Sequence, residues 1–165
     1  MKVRLAADIT FDSIVDGDGL RSVIWFQGCK WNCEGCHNPS THDMNGGFEK
    51  DIDNIVNEVA YDTIQTGVTI SGGDPFFQPE SLLELCKKLK ERNINIWVYT
   101  GFTFETLLNK HSEILQYIDI IVDGPFILEQ KDLSLIFKGS SNQRIIDVQK
   151  SIRNNKIILW GEQDI

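Results

Sequence analysis

Residues 67–100 read GVTISGGDPFFQPESLLELCKKLKERNINIWVYT, and the fold is decided there. Gly67 to Ser71 is a short β-branched run ending at Gly72-Gly73, which predicts a buried strand. Pro79 to Arg92 follows as a helix. Leu82, Leu85, Cys86 and Leu89 share one face of it, Pro79 stands near its start and Asn93 past its end. Residues 94–100, INIWVYT, form a second apolar run closed by Gly101. Strand, helix and strand in little more than about thirty residues is a βαβ unit, with parallel strands and a right-handed crossover.

Working outward, the same alternation continues. SVIWFQ (22–27) reads as a buried strand before Gly28, and residues 37–49 read as loop. Residues 51–62 place Ile52, Ile55, Val56 and Val59 at helical spacing. Phe104 to Lys110 is a short helix, Ile118 to Val122 a strand ended by Asp123-Gly124-Pro125, and Lys156 to Trp160 a weaker strand. The 165 residues suit one domain spanning 1–165. A full eight-fold (β/α) barrel takes about 250 residues. The expected fold class is therefore α/β: a single-domain, partial (open) β/α barrel with a mainly parallel sheet.

Composition narrows the partners. The chain is 41% hydrophobic and 24% charged, ordinary for a soluble protein. Sixteen basic against 24 acidic residues leave a net charge of −8. Nucleic acid and anionic membranes both select basic surfaces, so neither is expected as a partner. Lys2, Arg4 and Asp8 interrupt the N-terminus, leaving no apolar signal core. The apolar runs Val23–Phe26 and Ile157–Trp160 fall far short of the roughly 20 residues that span a bilayer. A cytoplasmic location is expected.

Cys29, Gly72, Gly73, Thr100 and Asp123 all lie at or just after the end of an expected strand. Carboxyl ends of parallel strands are where α/β folds build their sites. Cys29, Cys33 and Cys36 make a C-x3-C-x2-C spacing, and a tight thiol cluster without a signal peptide points to metal rather than disulfides. A zinc site would need a fourth ligand; His37 is the candidate, though its adjacency to Cys36 makes joint ligation awkward. A [4Fe–4S] cluster held by three cysteines leaves one iron open to a further ligand. Cys86, on the apolar helix face, reads as a buried thiol.

The C-x3-C-x2-C spacing after a strand resembles the signature of radical S-adenosylmethionine (SAM) enzymes. Asp16-Gly17-Asp18-Gly19-Leu20-Arg21 and Phe26-Gln27-Gly28-Cys29 resemble the glycyl-radical activating enzymes of that superfamily. Ser71-Gly72-Gly73-Asp74-Pro75 looks like its Gly-Gly motif. Asp123-Gly124-Pro125-Phe126 and Lys138-Gly139-Ser140-Ser141-Asn142-Gln143-Arg144 resemble the anaerobic ribonucleoside-triphosphate reductase activating proteins. The similarity runs from about Asp16 to Ile146.

This resemblance implies an oxidoreductase whose cofactors are a [4Fe–4S] cluster on Cys29, Cys33 and Cys36 and SAM. Reductive cleavage of SAM would yield a 5′-deoxyadenosyl radical that takes hydrogen from a glycine of the reductase, with a flavodoxin- or ferredoxin-type electron donor. It also implies SAM contacts from Gly35, Cys36, His37, Gly72, Gly73, Asp74, Thr100 and Asp123, and contact of Asp16 with the partner's glycyl loop. Two positions depart from the wider pattern: Gly35 stands where many radical SAM enzymes carry an aromatic, and Asp74 where many carry glutamate. Plainer readings stand beside these: Asp16 as a turn residue, Thr100 as a strand cap, Asp123 as a turn residue and His37 as an ordering group in its loop. No acid–base dyad is visible. The alternatives are an activator of the pyruvate formate-lyase type and a non-enzymatic zinc-binding module.

Overall fold

The computed structural model describes residues 1–31, 33–36, 39–61 and 64–162. Among these the chain runs through β1 (Lys2–Leu5), β2 (Thr10–Ser13), β3 (Arg21–Phe26), β4 (Phe48–Asp51) and α1 (Ile52–Tyr61). It continues through β5 (Gly67–Gly72), α2 (Pro79–Glu91), β6 (Asn95–Tyr99), α3 (Phe104–Lys110) and α4 (Ser112–Leu115). It ends with β7 (Ile120–Asp123), β8 (Arg144–Asp147) and α5 (Val148–Asn154).

The strands join one sheet in the order β4-β1-β3-β5-β6-β7-β8, with β2 also paired to β3. Its centre, β3-β5-β6-β7, is parallel, the α/β arrangement that the sequence pattern implied. Antiparallel strands extend it on both sides: β1, β2 and β4 at one flank, β8 at the other. These flanking strands are four residues each, too short to show a periodicity in sequence. At the far flank the structure corrects the reading. Lys156 to Trp160 contributes a single bridge, Leu159 to Ile146, and the edge strand is β8 instead. Asp123 pairs in register with Arg144 there, and Asp147 at the strand's end caps α5 by accepting from the Lys150 amide.

Alternation along the strands separates two packing layers. Ile24, Phe26, Val68, Ile70, Ile96, Val98 and Ile121 join the core with Ile55 and Val59 of α1 and Leu82, Leu85 and Leu89 of α2. Each fully buried aliphatic side chain contributes roughly 1.5–3 kcal/mol. Cys86 lies in this core at 0% exposure, and burial raises its thiol pKa far above the ordinary value. Residues of opposite parity face the concave side. Trp97, Ile120 and Val122 form a second cluster there with Tyr99, Phe137 and Ile145 packed against it.

The floor of the concave side is built around a buried arginine. Arg21, 1% exposed, donates to Thr69 Oγ1 and to the carbonyls of Asp18, Val68 and Asn95, and lies over the Trp97 ring at 5.5 Å. Burial draws its pKa down to about 10. Gly17 sits directly on this pair, where a Cβ would lie 3.0 Å from both side chains. The Asp-Gly-Asp-Gly turn thus packs over Arg21 and Trp97 just before β3. No helix among the described residues is long and apolar enough to cross a membrane.

Candidate functional site

A cavity of about 400 Å³ opens at the carboxyl ends of β3, β5 and β6. Cys29, Cys33 and Cys36 line it from the loop after β3, and Ser71, Gly72 and Gly73 from the end of β5. Thr100 and Gly101 follow β6, and Asp16 reaches it from the turn before β3. Its volume lies within the range of about 300–1,000 Å³ usual for small-molecule sites. The donor set on one wall is all sulfur, and thiolates are the soft ligands of iron–sulfur clusters. Among the described residues no three His, Cys, Asp or Glu side chains close on one point where a single ion would sit. A cubic cluster asks something else of them, one thiolate for each of three irons. Burial raises the Cys29 thiol pKa to about 11, with the neighbouring Asp74 carboxylate adding to the effect. A thiolate there needs positive charge beside it, which bound iron supplies.

The backbone holds the cysteine loop at both ends. The Gly28 amide donates to Thr41 O at 2.6 Å and the Cys29 amide to His42 O at 3.1 Å. The Gln27 side chain donates to the Asp43 and Ser40 carbonyls. Beneath the loop, the Gly73 amide donates to Phe26 O and the Asp74 amide to Gly28 O, both at 2.9 Å. This close contact explains the double glycine. A Cβ on Gly73 would stand 2.4 Å from Gly28 O, and one on Gly72, where φ is +109°, 2.3 Å from Phe26 O. The glycines let the end of β5 press against the root of the cysteine loop, a role the sequence alone did not suggest.

Asp74 is 1% exposed, and its carboxylate is engaged by the protein on every side. It accepts from Trp31 Nε1 at 2.6 Å, Gly101 N at 2.8 Å, Thr100 Oγ1 at 2.9 Å and Phe76 N at 3.1 Å. Burial pushes its pKa up while these donors oppose the shift. Asp74 therefore ties the cysteine loop, through Trp31, to the end of β6. Thr100 belongs to the same knot: its hydroxyl donates to Asp74 and accepts from Phe102 N.

Three of the other singled-out residues stand apart from the cavity lining or from the described region. Asp123 is 1% exposed and is not among the lining residues. Its carboxylate pairs with the Arg144 guanidinium through two contacts and accepts from Phe104 N at 2.8 Å, the start of α3. Its neighbour Gly124 lines the cavity in its place. Gly35 is not in the lining either and packs toward Leu128, whose Cδ1 would be 2.7 Å from an added Cβ. His37 lies outside the described residues.

Some lining residues, Trp25 and Tyr99 among them, were not singled out in the sequence, whereas Gly139 and Gln143 belong to a run whose family resemblance suggested a site-lining or partner-facing segment. Trp25, Ser71 and Tyr99 project into the cavity from strands, with Trp25 paired in register with Ser71. They share the parity of Arg21, Thr69 and Trp97, so period-two alternation was the signal that could have found them. Phe126, Gly139 and Gln143 line the far side. The Lys138–Arg144 segment brings them there: Gln143 Oε1 accepts from Gly139 N at 2.8 Å, Gln143 Nε2 donates to Gly124 O at 3.0 Å, and Asn142 Nδ2 donates to Pro125 O at 2.8 Å.

Comparison with known proteins shows the family. Residues 15–146 match the model of the 4Fe-4S single cluster domain family. The chain is 35% identical over 140 residues to an anaerobic ribonucleoside-triphosphate reductase-activating protein of Haemophilus influenzae, covering 80% of this chain and 90% of that one. It is 36% identical over 139 residues to the protein of that name from Escherichia coli K12, covering 79% and 90%. A pyruvate formate-lyase-activating enzyme of Clostridium pasteurianum is 31% identical over 153 residues, 89% of this chain but 62% of that enzyme. The crystal structure of QueE from Escherichia coli superposes with a TM-score of 0.54 at 14% identity, covering 74% of this chain and 71% of that one, a likeness of fold. The class these findings define is that of the radical SAM activating enzymes with a 4Fe–4S domain. Within that class, the chain belongs to the family of anaerobic ribonucleoside-triphosphate reductase-activating proteins.

Proposed function

We infer that this protein activates an anaerobic ribonucleoside-triphosphate reductase by generating a glycyl radical on it. The observation that carries the reading is the meeting of three cysteine thiols with the Gly-Gly strand end in one cavity at the sheet's carboxyl edge. Cys29, Cys33 and Cys36 would hold the cluster. When bound, the cluster and SAM supply the chemistry: one electron cleaves the sulfonium to methionine and a carbon radical able to take hydrogen from glycine. The chain's own residues position and enclose. Gly72 and Gly73 would face SAM through main-chain groups, with Cys36 and Thr100 at the cofactor's edge. Asp74 and Asp123 would act from behind, by holding Trp31 and the start of α3. Asp16 would meet the partner's glycine loop. The family resemblance would put His37 at the same cofactor, whereas Gly35, packed toward Leu128, would act by shaping the loop before Cys36.

Identity over the matched stretch favours the reductase group over the formate-lyase group, at 35% and 36% to the reductase activators named above against 31% to the formate-lyase activator. The electron donor would be of the flavodoxin or ferredoxin type, and the place of action the cytoplasm.

The test is an anaerobic mixture of reduced protein, SAM and the reductase from the same organism. Electron paramagnetic resonance should then show an organic radical on the reductase, with glycyl hyperfine splitting and loss on exposure to oxygen. A signal on a formate-lyase-type partner and none on the reductase would replace this reading with the other.

A further inference from the structure

Most side-chain donors on the cavity wall are committed inside the protein. Trp25 Nε1 donates to Thr10 Oγ1 at 2.8 Å and Trp31 Nε1 to Asp74. Tyr99 Oη donates to Phe137 O, Thr100 Oγ1 to Asp74 and Gln143 Nε2 to Gly124 O. Among the described lining residues, two hydroxyl or nitrogen donors remain without a protein partner: Ser71, at the end of β5, and His42, beyond the cysteine loop. Polar groups withdrawn from water find partners, so a half-buried donor facing a cavity is one that a ligand can satisfy.

His42 is held against the cysteine loop by its main chain. Its carbonyl accepts from the Cys29 amide at 3.1 Å, and its amide donates to Pro39 O at 3.2 Å. One residue earlier, Thr41 O accepts from the Gly28 amide at 2.6 Å. These bonds fix the imidazole beside the first cysteine without using the side chain. Ser71, by contrast, directly precedes the Gly-Gly pair. An imidazole offers at least one N–H donor whether neutral or protonated.

The charges of the wall set what such a donor does. The described lining holds two carboxylates, Asp16 and Asp74, three thiols, and no Lys or Arg. Iron binding turns the thiols into thiolates, and every anion nearby opposes the entry of a further electron. Hydrogen bonds to cluster sulfurs are one of the means by which a protein raises a reduction potential.

We propose that His42 donates an imidazole N–H to a sulfur of the cluster beside Cys29 and so raises the cluster's reduction potential. The proposal rests on the function inferred above and adds a residue to it. The step affected is the one-electron reduction of the cluster by the donor protein. No covalent bond forms or breaks in that step, and the proton stays on the imidazole. A hydrogen bond to sulfur strengthens as the acceptor gains negative charge, so it favours the reduced cluster over the oxidised one.

The experiment compares the parent with His42→Phe, which keeps a ring but no donor, and His42→Gln, which keeps an N–H donor. Iron per chain is counted in each. The reduced cluster is followed by electron paramagnetic resonance during a potentiometric titration without SAM. At the parent's midpoint, His42→Phe should show about a tenfold lower ratio of reduced to oxidised cluster, a fall of about 59 mV for one electron. His42→Gln should recover most of that loss, and iron per chain and SAM affinity should be equal in all three. An unchanged midpoint in His42→Phe overturns the proposal, and so does an equal shift in both variants, which would report the altered packing and not the donor. Weaker SAM binding at an unchanged midpoint places the imidazole on SAM and overturns it as well. His42→Ala repeats the comparison if His42→Phe fails to hold iron; loss of iron in both makes His42 a support of the loop and ends the proposal. A parent protein that takes up the electron yet raises no radical on the reductase overturns the inferred function, an outcome separate from the midpoint comparison.

Discussion

The indole Nε1 of Trp31 donates a 2.6 Å hydrogen bond to Oδ2 of the buried Asp74. The contact spans 43 residues and fastens the middle of the cysteine loop to the turn after β5. Around it Trp31 packs edge-on against Phe102 at 4.8 Å and more loosely against Phe77 at 6.1 Å. The loop that carries the thiols is therefore positioned by a carboxylate that need not touch any cofactor.

Asp74→Asn tests that relationship. Both carboxylate oxygens accept from the protein, and an amide offers one acceptor where two are used. The change should cost about 1–3 kcal/mol, the range for a buried donor left unpaired. Thermal unfolding and iron per chain measure it, and the expected outcome is a lower Tm with reduced iron loading. Unchanged values in both would remove Asp74 from the loop's support.

Gly73→Ala separates two reasons for a glycine. Its Cβ would fall 2.4 Å from Gly28 O, beside Cys29. The cysteine loop must then shift, so iron content and SAM cleavage should fall together. Full iron with no SAM cleavage would instead place the need for glycine at the ligand.

Alanine at Cys29, Cys33 or Cys36 should abolish the iron–sulfur absorbance after anaerobic reconstitution. Cys86→Ala should keep it, at a stability cost of about 1 kcal/mol for a thiol removed from the core. Retention of the cluster without Cys33, or its loss without Cys86, contradicts the assignment.

Arg144→Met leaves the Asp123 carboxylate, 2% exposed, without its cation. Arg144 is itself 32% exposed, so the loss should be roughly 2–3 kcal/mol, below the ~3–5 of fully buried pairs. The same arginine holds Glu105 below the usual glutamate pKa, chiefly by hydrogen bonding. A lowered carboxylate pKa stabilises above its unfolded value of about 4.5 and ceases to do so as pH falls through the lower folded value. Denaturant midpoints between pH 6 and pH 3 should thus fall for the parent partly on account of Glu105, and that part should be missing in Arg144→Met. An identical acid-side slope in both proteins would count against the pairing.

The sequence alone was enough for the parallel centre and the thiol wall, because both are written locally. Apolar runs punctuated by Gly and Pro define β3, β5, β6 and β7, and a C-x3-C-x2-C spacing needs no partner elsewhere in the chain to be read. The strand ends brought Gly72, Gly73 and Thr100 to the cavity as expected. What tertiary structure decided were relations between distant residues. Asp74 lines the cavity, and its oxygens are taken by Trp31 and Gly101; Asp123, expected at the cofactor's edge, stands outside the lining with Phe104 and Arg144 on its oxygens. A buried carboxylate must find donors, and no local pattern says which ones will arrive. Likewise β8 displaced the expected tail strand because Arg144 finds Asp123 across the sheet, and Trp25, Ser71 and Tyr99 meet only because three parallel strands align their outward parities. Periodicity along a chain is a local property; hydrogen-bond satisfaction and strand register are settled between segments, and that is where the site acquired its shape.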